Sequence, residues 1–471
     1  MRAFLVALAL VLPLAVGCGG DSASGPAGAE IAPVTSELFL SVRTDFESEE
    51  WQQVVDIVER FPDSDRAVGS LLRELGLEDA DARAELEPAL GPETDLVAFD
   101  LAGEGEAVGL TQPEDPAKLE EVLAGLEEDF VTREIEDWTA FSESEAALDR
   151  FESDRSEGTL ADSDAFTEAM GDVDGDAFLR VYVNGENIET PLAGREVPGL
   201  ALSLAAEEGG VRVEGSSRLD EEAETIVPDP FSAELPETVP GGVLLYVGTS
   251  GLEGSLSALR DLLAETMPEF DRDLARVENE IGVSLEEDVF PLFRGETALY
   301  LRPGLFIPEI TVVTEVEDEA AAVATLDDLV AALEEYVPGA QAAREREIEG
   351  VQATEVPLVP PFALYYAAFD GRLVVTTSTE GIAALREDED RLADDPEFEA
   401  ALDEAGLPEE TSGFAYVSLE GAIEYVFGFA EQAGDLVPPV VRANLEPLQG
   451  LVVYAEKDGS RLRFAGFLGV D

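Results

Sequence analysis

The chain has 471 residues, and its 104 Asp and Glu residues outnumber its 28 Lys and Arg residues, giving a formal net charge of −76. It contains no histidine and one cysteine, which excludes histidine-based catalysis, an intramolecular disulfide and the usual Cys/His zinc sites. Nucleic acid is a poor partner, because a phosphate backbone requires clustered cations. With 45% apolar residues, the composition predicts folded domains with an acidic surface.

The N-terminus reads as an export signal. Residues 3–17 are uncharged and mostly apolar, a run too short for a typical transmembrane helix of about 20 residues. Residues 14–18 read Leu-Ala-Val-Gly-Cys and resemble the lipobox of bacterial lipoproteins, with Ala15 where Leu is usual. The resemblance implies cleavage before Cys18 and attachment of lipid, such as palmitate, to that cysteine. The alternative is an ordinary secretory signal with an incidental cysteine.

A stretch of small residues follows Cys18 and predicts a flexible tether over residues 18–36. No later apolar run reaches membrane-spanning length. We therefore expect a protein that is attached to the cell membrane by its lipid, on the extracytoplasmic face, and does not span the bilayer.

The rest of the chain carries one series of landmarks twice, which predicts a tandem duplication. In each copy an apolar strand precedes a helical pattern, and a Glu-Thr pair five residues after a proline precedes another strand. A stretch that begins Leu-Ala-Asp later leads through a turn into a strand in both copies. The matched stretches of the first and second copies are 38–42 and 243–247, 93–94 and 296–297, 160–166 and 392–398, 178–183 and 413–417, and 211–214 and 462–465.

The repeat predicts an α+β fold with two tandem homologous domains, each an antiparallel or mixed sheet with helices packed on one face. The first copy lacks an evident counterpart of residues 362–366 and 373–376 and looks shortened there. The predicted segments are a signal peptide at 1–17, a tether at 18–36, a first repeat at 37–220, a linker at 221–240 and a second repeat at 241–471.

Several of these landmarks resemble the actinobacterial family called domain of unknown function 3352. The resembling stretches are residues 50–52, 60–62, 88–91, 370–378 and 393–398. The resemblance implies a secreted or membrane-attached protein. It implies no reaction, because the family has no catalytic signature that could be transferred to this chain.

Alternating aspartates at Asp172, Asp174 and Asp176 are the one pattern that suggests a metal site. An EF-hand loop needs Gly at its sixth position and Glu at its twelfth, and here these are Ala177 and Val183. We therefore read the segment as an acidic turn, with calcium binding as the less favoured alternative. The sequence predicts no other metal and no cofactor.

Two uncharged apolar segments are candidates for contact with a ligand or partner. The first contains Leu305, Phe306 and Ile307, between two predicted strands, and the second contains Phe427 and Phe429. Burial against the other copy is the alternative for both segments.

No nucleophile motif, P-loop or dinucleotide fingerprint is convincing. The sequence therefore favours a non-enzymatic protein that binds an unknown ligand or envelope protein, or that organises the envelope. A carboxylate-dependent envelope hydrolase and a calcium-dependent adhesion or sensing module remain as alternatives.

Overall fold

The structure is a computed structural model. It describes residues 25–64, 66, 82–100, 106–126, 129–185, 199–221, 223–304, 307–336, 341–359, 362–387, 390–434 and 436–471.

The chain forms two compact units, and the last part of the chain contributes to both. Unit 1 consists of Met1–Arg218, Pro438–Leu448 and Arg463–Asp471, and unit 2 consists of Leu219–Val437 and Gln449–Leu462. The first passage between the units, after Arg218, falls at the predicted end of the first repeat. Residues 438–448 and 463–471, which the sequence analysis assigned to the second repeat, lie in unit 1.

The described residues form strands in both units. In chain order these are β1 (Leu38–Arg43), β2 (Glu93–Ala98), β3 (Ala107–Thr111), β4 (Val131–Ile135), β5 (Trp138–Ser142), β6 (Leu179–Val183), β7 (Leu200–Glu207), β8 (Gly210–Arg218), β9 (Leu245–Ser250), β10 (Glu296–Arg302), β11 (Glu309–Glu315), β12 (Arg344–Ile348), β13 (Val351–Pro357), β14 (Ala363–Phe369), β15 (Arg372–Thr376), β16 (Gly413–Ser418), β17 (Leu448–Asp458) and β18 (Arg461–Val470).

Helices separate several groups of these strands. In chain order the α-helices are α1 (Glu49–Glu59), α2 (Ala82–Leu90), α3 (Pro116–Gly125), α4 (Glu145–Arg155), α5 (Asp164–Met170), α6 (Ala223–Ile226), α7 (Leu252–Thr266), α8 (Pro268–Ile281), α9 (Glu319–Tyr336), α10 (Thr379–Arg386), α11 (Pro396–Ala405), α12 (Leu419–Ala433) and α13 (Pro439–Leu445). Short 3-10 helices occupy Ala27–Glu30, Leu160–Asp162, Leu235–Glu237, Phe290–Phe293 and Leu392–Asp394, and a π-helical turn occupies Leu285–Val289.

Small polar side chains start many of these helices. The Ser48 hydroxyl accepts a hydrogen bond from the backbone N–H of Trp51 at the start of α1. Ser163 caps α5 in the same way, and the Asp395 carboxylate caps α11. Each cap satisfies a backbone donor that the first helical turn leaves without a partner.

Unit 1 contains an antiparallel sheet with the strand order β4-β5-β3-β2-β1-β6-β7-β8, and β18 pairs with β8. Strand β1 is central, and Phe39 lies directly between Val97 of β2 and Tyr182 of β6. The predicted α+β class with an antiparallel sheet is therefore confirmed for this unit.

Unit 2 contains an antiparallel sheet with the order β12-β13-β14-β15-β11-β10-β9-β16-β17. Here β9 is central, and Tyr246 lies between Tyr300 and Tyr416. The hairpin β14–β15 has the same place beside β11 that β4–β5 has beside β3. The interpretation that the first copy lacks these strands is therefore wrong, and the additional hairpin of unit 2 is β12–β13.

Helices cover both faces of each sheet, so the prediction that they pack on one face is wrong. In unit 1, one face carries Val42 and Leu96 and packs against Trp51 of α1 and Leu119 of α3. The other face carries residues such as Phe39 and packs against α4, α5 and the segment that contains Ala27–Glu30. Burial on both faces explains why nearly every residue of β2 and β3 is buried, whereas a sheet with one solvated face would alternate buried and exposed positions.

Both faces of the sheet in unit 2 are covered as well. Phe398 of α11 packs on Tyr246 and Tyr416, with ring centroids 6.2 and 5.1 Å apart. On the opposite face Leu373 packs with Leu292 and with Ala322 of α9. The sequence could not reveal that helices cover both faces, because a helix packed on either face of a sheet shows the same apolar periodicity.

Parts of the predicted tether and linker pack against the units. Ala29, Ile31 and Ala32, within the predicted tether, are at most 2% exposed. Leu235 and Val239, within the predicted linker, are at most 1% exposed. Each segment precedes the first strand of its unit in the chain.

Both tryptophans are core residues. Trp51 is fully buried, its Nε1–H donates to the Arg43 carbonyl at 2.6 Å, and its ring meets Phe46 edge-on. Trp138 is 6% exposed and belongs to the core on the other face of the same sheet. Neither ring presents an open face on which a sugar could stack.

We expect Trp51→Ala to lower the free energy of unfolding by about 3–5 kcal/mol, because it leaves a large cavity and frees a buried carbonyl. Urea denaturation followed by circular dichroism measures the change. The control is Leu436→Ala, whose side chain is 93% exposed and whose replacement should change stability by less than about 0.5 kcal/mol. Equal effects of the two substitutions would contradict the core position of Trp51.

Candidate functional site: an apolar end and an acidic end of unit 2

Two uncharged connections lie at the same end of the sheet in unit 2. Residues 303–308 join β10 to β11, and residues 358–362 join β13 to β14. Strands β11 and β14 are both antiparallel to β15, so they run in the same direction and begin at the same end. Neither connection contains a charged residue, although 28% of the chain is charged.

Helix α12 joins this end through a hydrogen bond. It begins after β16, where the Ser418 hydroxyl accepts from the Gly421 N–H at 3.2 Å, and the Tyr425 hydroxyl donates to the Gly304 carbonyl at 3.1 Å. Gly304 is required by the tight turn, since an added methyl group would lie 2.1 Å from the Ile307 carbonyl oxygen.

Exposed apolar side chains are concentrated at this end of the sheet. We call the set of six the apolar end; its members are Ile307, Leu358, Val359, Phe362, Val426 and Phe429. Their exposed fractions range from 42% at Phe362 to 77% at Val359. Phe429 follows Tyr425 by one helical turn and therefore lies on the same side of α12 as the contact with Gly304.

The structure brings together some of the residues that the sequence singled out. Ile307 and Phe429 belong to the apolar end, whereas Phe427 is 8% exposed and is largely buried. Leu305, Phe306 and Cys18 lie outside the described residues. Sequence reasoning missed the connection formed by residues 358–362, for which the absence of charge was the available signal; Tyr425 lies in the second apolar segment, but its hydrogen bond to Gly304 was not foreseen.

The opposite end of the same sheet is acidic. A cleft of about 640 Å³ lies where β10 begins, β11 ends and β14 turns into β15. The carboxylates that line it belong to Glu287, Asp288, Glu315, Glu317 and Asp318. Arg294 also lines the cleft, but its guanidinium binds both carboxylate oxygens of Glu253, at 2.5 and 2.8 Å. The cleft therefore attracts cations and repels anions.

Carboxyl groups with raised pKa values lie outside this cleft. Burial raises the pKa of Asp95, Glu214, Glu296 and Glu397, and none of these four residues lines the cleft. A carboxylate-dependent hydrolase needs one acid with a raised pKa beside a second carboxylate in a pocket. The described lining of the cleft does not offer that pair.

The three aspartates of the suggested calcium turn are engaged with protein groups. Asp172 accepts from Arg463 and from the Ser216 hydroxyl, both at 3.1 Å. Asp174 accepts from the backbone N–H of Asp176, and Asp176 lies 3.9 Å from Arg43. Within the described ranges, no group of three or more Asp, Glu or Cys residues is placed to hold a metal ion.

None of the helices in the described part of the chain combines the length and the apolar character that crossing a membrane requires.

Sequence comparison identifies a family but no characterised relative. The model of the family described as "Protein of unknown function (DUF3352)" matches residues 118–468. The match includes the two later stretches on which the resemblance rests, 370–378 and 393–398, and begins after the three earlier ones. No curated protein matches the chain.

Two solved structures overlap with part of the chain. Crystal form IV of TP0453 is 10% identical, covers 50% of this chain and 93% of its own, and has a TM-score of 0.25. Crystal form I of TP0453 is 11% identical, covers 42% and 81%, and has a TM-score of 0.23. Similarity this low supports no conclusion about fold or function.

We expect calcium to leave the stability of the protein unchanged, because Asp172, Asp174 and Asp176 face different partners. The measurement is the melting temperature in calcium chloride against sodium chloride of equal ionic strength, so that screening of the −76 charge is matched. A calcium-dependent increase that Asp174→Asn abolishes would contradict this reading and restore the calcium-dependent alternative.

Proposed function

The chain belongs to the DUF3352 family of proteins of unknown function, and we propose that it is a lipid-anchored, extracytoplasmic binding protein without catalytic activity. Its contact surface would be the apolar end of unit 2, and its partner an envelope protein with an apolar face. The observation that carries this proposal is that the connections 303–308 and 358–362 lie at the same end of the sheet, where Tyr425 of α12 donates a hydrogen bond to Gly304.

The shape of the apolar end favours a macromolecular partner. Its side chains are exposed on connections and on a helix, whereas small ligands bind mainly in concave cavities that enclose most of their surface. A cluster of exposed apolar residues is typical of protein or membrane contact. A protein partner is favoured because glutamates border the exposed apolar side chains of α12, and an apolar centre with a polar rim is typical of protein interfaces.

Charges at the border of the apolar end support the same choice. Glu424 and Glu431 flank Val426 and Phe429 along α12, so a partner with a basic rim around an apolar centre would fit this surface. An anionic bilayer would meet unfavourable charge at the same border. The acidic cleft at the other end adds a second place where a basic segment of the partner could bind.

The lack of histidine and the position of the one cysteine favour a binding role over histidine- or cysteine-based catalysis. The sequence has no histidine, and its one cysteine is at position 18, at the end of the apolar N-terminal run. Burial raises the pKa of Asp95, Glu214, Glu296 and Glu397, and none of these four carboxyl groups lines the acidic cleft. A carboxylate-dependent hydrolase remains the alternative from another class.

The duplication also belongs to this proposal. Both units place a Glu-Thr pair at the start of the strand beside the central strand, and both place a Leu-Ala-Asp 3-10 turn before the helix that precedes β6 or β16. We take the two units as homologous repeats, of which unit 2 carries the contact surface. The matching residues support a common origin because they occupy matching positions in the two sheets.

We expect glutamate at the apolar end to weaken partner binding about 10- to 100-fold, because each substitution places a charge in a desolvated contact. The test compares Val359→Glu and Phe429→Glu with Leu259→Glu, whose side chain is 46% exposed on α7. A photo-reactive amino acid introduced at Leu358 reports the contact in intact cells. The control variant should retain the crosslink to a single protein band.

Other outcomes of this crosslinking would contradict the proposed partner. A crosslink to lipid would replace the protein partner by the membrane surface, and a band of twice the chain mass would replace it by a second copy. A crosslink that survives both Val359→Glu and Phe429→Glu would show that the apolar end is not the contact surface.

We expect the mature chain to carry lipid on Cys18 and Cys18→Ser to release the protein from the membrane. Intact-mass measurement of the protein from its own membrane, with and without the substitution, tests this. An unmodified cysteine, or a mature N-terminus elsewhere, would contradict the anchor and leave the folded binding protein as the remaining hypothesis.

A further inference from the structure

A fully buried carboxyl group lies beneath the segment that enters unit 1. Asp95 is in β2, paired with Ser41 of β1 and with Leu110 of β3, and its exposure is 0%. Neither carboxylate oxygen has a hydrogen-bond partner among the described residues. A buried carboxylate without partners is costly when it is charged, which favours the protonated form.

The charged neighbours of Asp95 strengthen that preference. Glu93 lies two residues earlier on the same strand, hence on the same face, and Arg180 of β6 binds Glu93 at 3.0 Å. Burial and the negative charge of Glu93 raise the pKa of Asp95 well above its usual value, while Ser41, Arg180 and the backbone of Gly28 offset part of the shift. Since Arg180 is the direct partner of Glu93, Asp95 is a surplus acid in the cluster.

The remaining charged groups near the cluster act mainly on Arg180. Arg43 of β1 lowers the pKa of Arg180, and Asp174 raises it, while burial gives the largest effect and lowers it. Glu30, on the entering segment itself, is exposed. The groups that face Asp95 are therefore Ser41, Glu93, Arg180 and the backbone of the entering segment.

The entering segment is fixed directly on this cluster. The Ala27 N–H donates to Glu93 at 2.7 Å, and a methyl group added at Gly28 would lie only 1.8 Å from Asp95 Oδ2. Ala32 accepts from the Leu160 N–H at 2.9 Å, so the segment is held at both ends. Gly28 is required here by the close approach of its backbone to Asp95.

Unit 2 shows the same arrangement without the second acid. Glu296 accepts from the backbone N–H groups of Glu234 and Leu235, at 2.8 and 3.0 Å. The residue two positions after it is Ala298, which is fully buried. A glutamate alone can therefore hold such a segment, and Asp95 adds a titratable group that the attachment itself does not need.

We propose that Asp95 is a pH-sensitive latch: protonated, it allows residues 25–36 to remain seated on unit 1, and ionised, it drives their release. A group whose pKa is raised on folding stabilises the seated state at low pH, and this contribution is lost as the pH rises through the raised pKa. Seating is thus favoured by acid and opposed by base.

The consequence for the protein rests on the proposed lipid on Cys18. With residues 25–36 seated, the chain between Cys18 and unit 1 can span at most roughly 25 Å, and after release roughly 60 Å. A rise in pH would therefore increase the distance over which the folded units can move from the membrane.

Hydrogen exchange of the full chain, measured by mass spectrometry from about pH 5 to about pH 9, tests the latch. Exchange in peptides from residues 27–36 is divided by the rate of an unstructured peptide at the same pH, which gives the opening equilibrium. Because opening releases one proton, that equilibrium should rise about tenfold per pH unit below the raised pKa of Asp95. In Asp95→Asn it should be independent of pH.

Controls within the same chain distinguish release of the segment from unfolding of the whole unit. Peptides from β7 should keep their protection, because their loss would indicate unfolding of unit 1 and overturn the latch. Peptides from residues 233–240 provide an internal control for the substitution: Ala298 replaces Asp95 there, so their exchange should not respond to Asp95→Asn, although Glu296, whose pKa burial raises, holds that segment. If Asp95→Asn folds poorly, Asp95→Ala reproduces the arrangement in unit 2.

Two results would overturn the proposal: an opening equilibrium in the wild type that does not change with pH, and an unchanged slope in the folded Asp95 variant. The exchange experiment does not require lipid on Cys18. An unmodified cysteine would remove the tether consequence and leave the latch intact, so the two failures are distinguishable.

Discussion

Burial of both faces of an antiparallel sheet is the constraint on which each unit depends. Nearly every position of β2 and β3 is buried between the two helical layers, so a charged residue there, such as Asp95, has to be accommodated inside the fold. The acidic residues are consequently displaced to helix surfaces, turns and the ends of the sheet. Buried exceptions such as Asp95 and Glu296 then have to be explained individually, because each requires hydrogen bonds, an ion pair or a proton.

The glutamate at the start of the strand beside the central strand shows how such an exception can serve the fold. Glu93 and Glu296 each bind backbone N–H groups of the segment that precedes the first strand of the unit. A carboxylate is well suited to this task, because backbone donors at the start of a short helix have no partner within the helix. The chain thereby covers one face of the sheet before the first strand begins, and this is why the tether and linker boundaries cannot be placed at the first apolar run.

The sequence predicted many of the individual strands but not their order in the sheets. Short repeated motifs located β1, β2, β9 and β10, because their apolar runs and turn residues are local signals. Strand β4, with the sequence Val-Thr-Arg-Glu-Ile, was missed because it is half exposed and only weakly apolar. The connections 303–308 and 358–362 lie at the same end of the sheet because of the strand order, which the periodicity of the sequence does not encode. The partners of Asp172 and Asp176, Arg463 and Arg43, could not be predicted either, because they are distant in sequence.

The opposed character of the two ends of unit 2 follows from where charge can be tolerated. Connections at the acidic end contain carboxylates that remain hydrated in an open cleft, which costs little in a solvent-exposed site. At the apolar end the connections contain no charge, although a protein of net charge −76 has no difficulty in staying soluble with additional acidic residues. Solubility therefore does not explain the missing charges, whereas the proposed contact would, because an unpaired carboxylate would have to be desolvated in it. The exposed apolar residues of α12 lie beside Tyr425, whose hydrogen bond to Gly304 fixes the helix against the connection. A surface that is already rigid loses less conformational entropy when it binds.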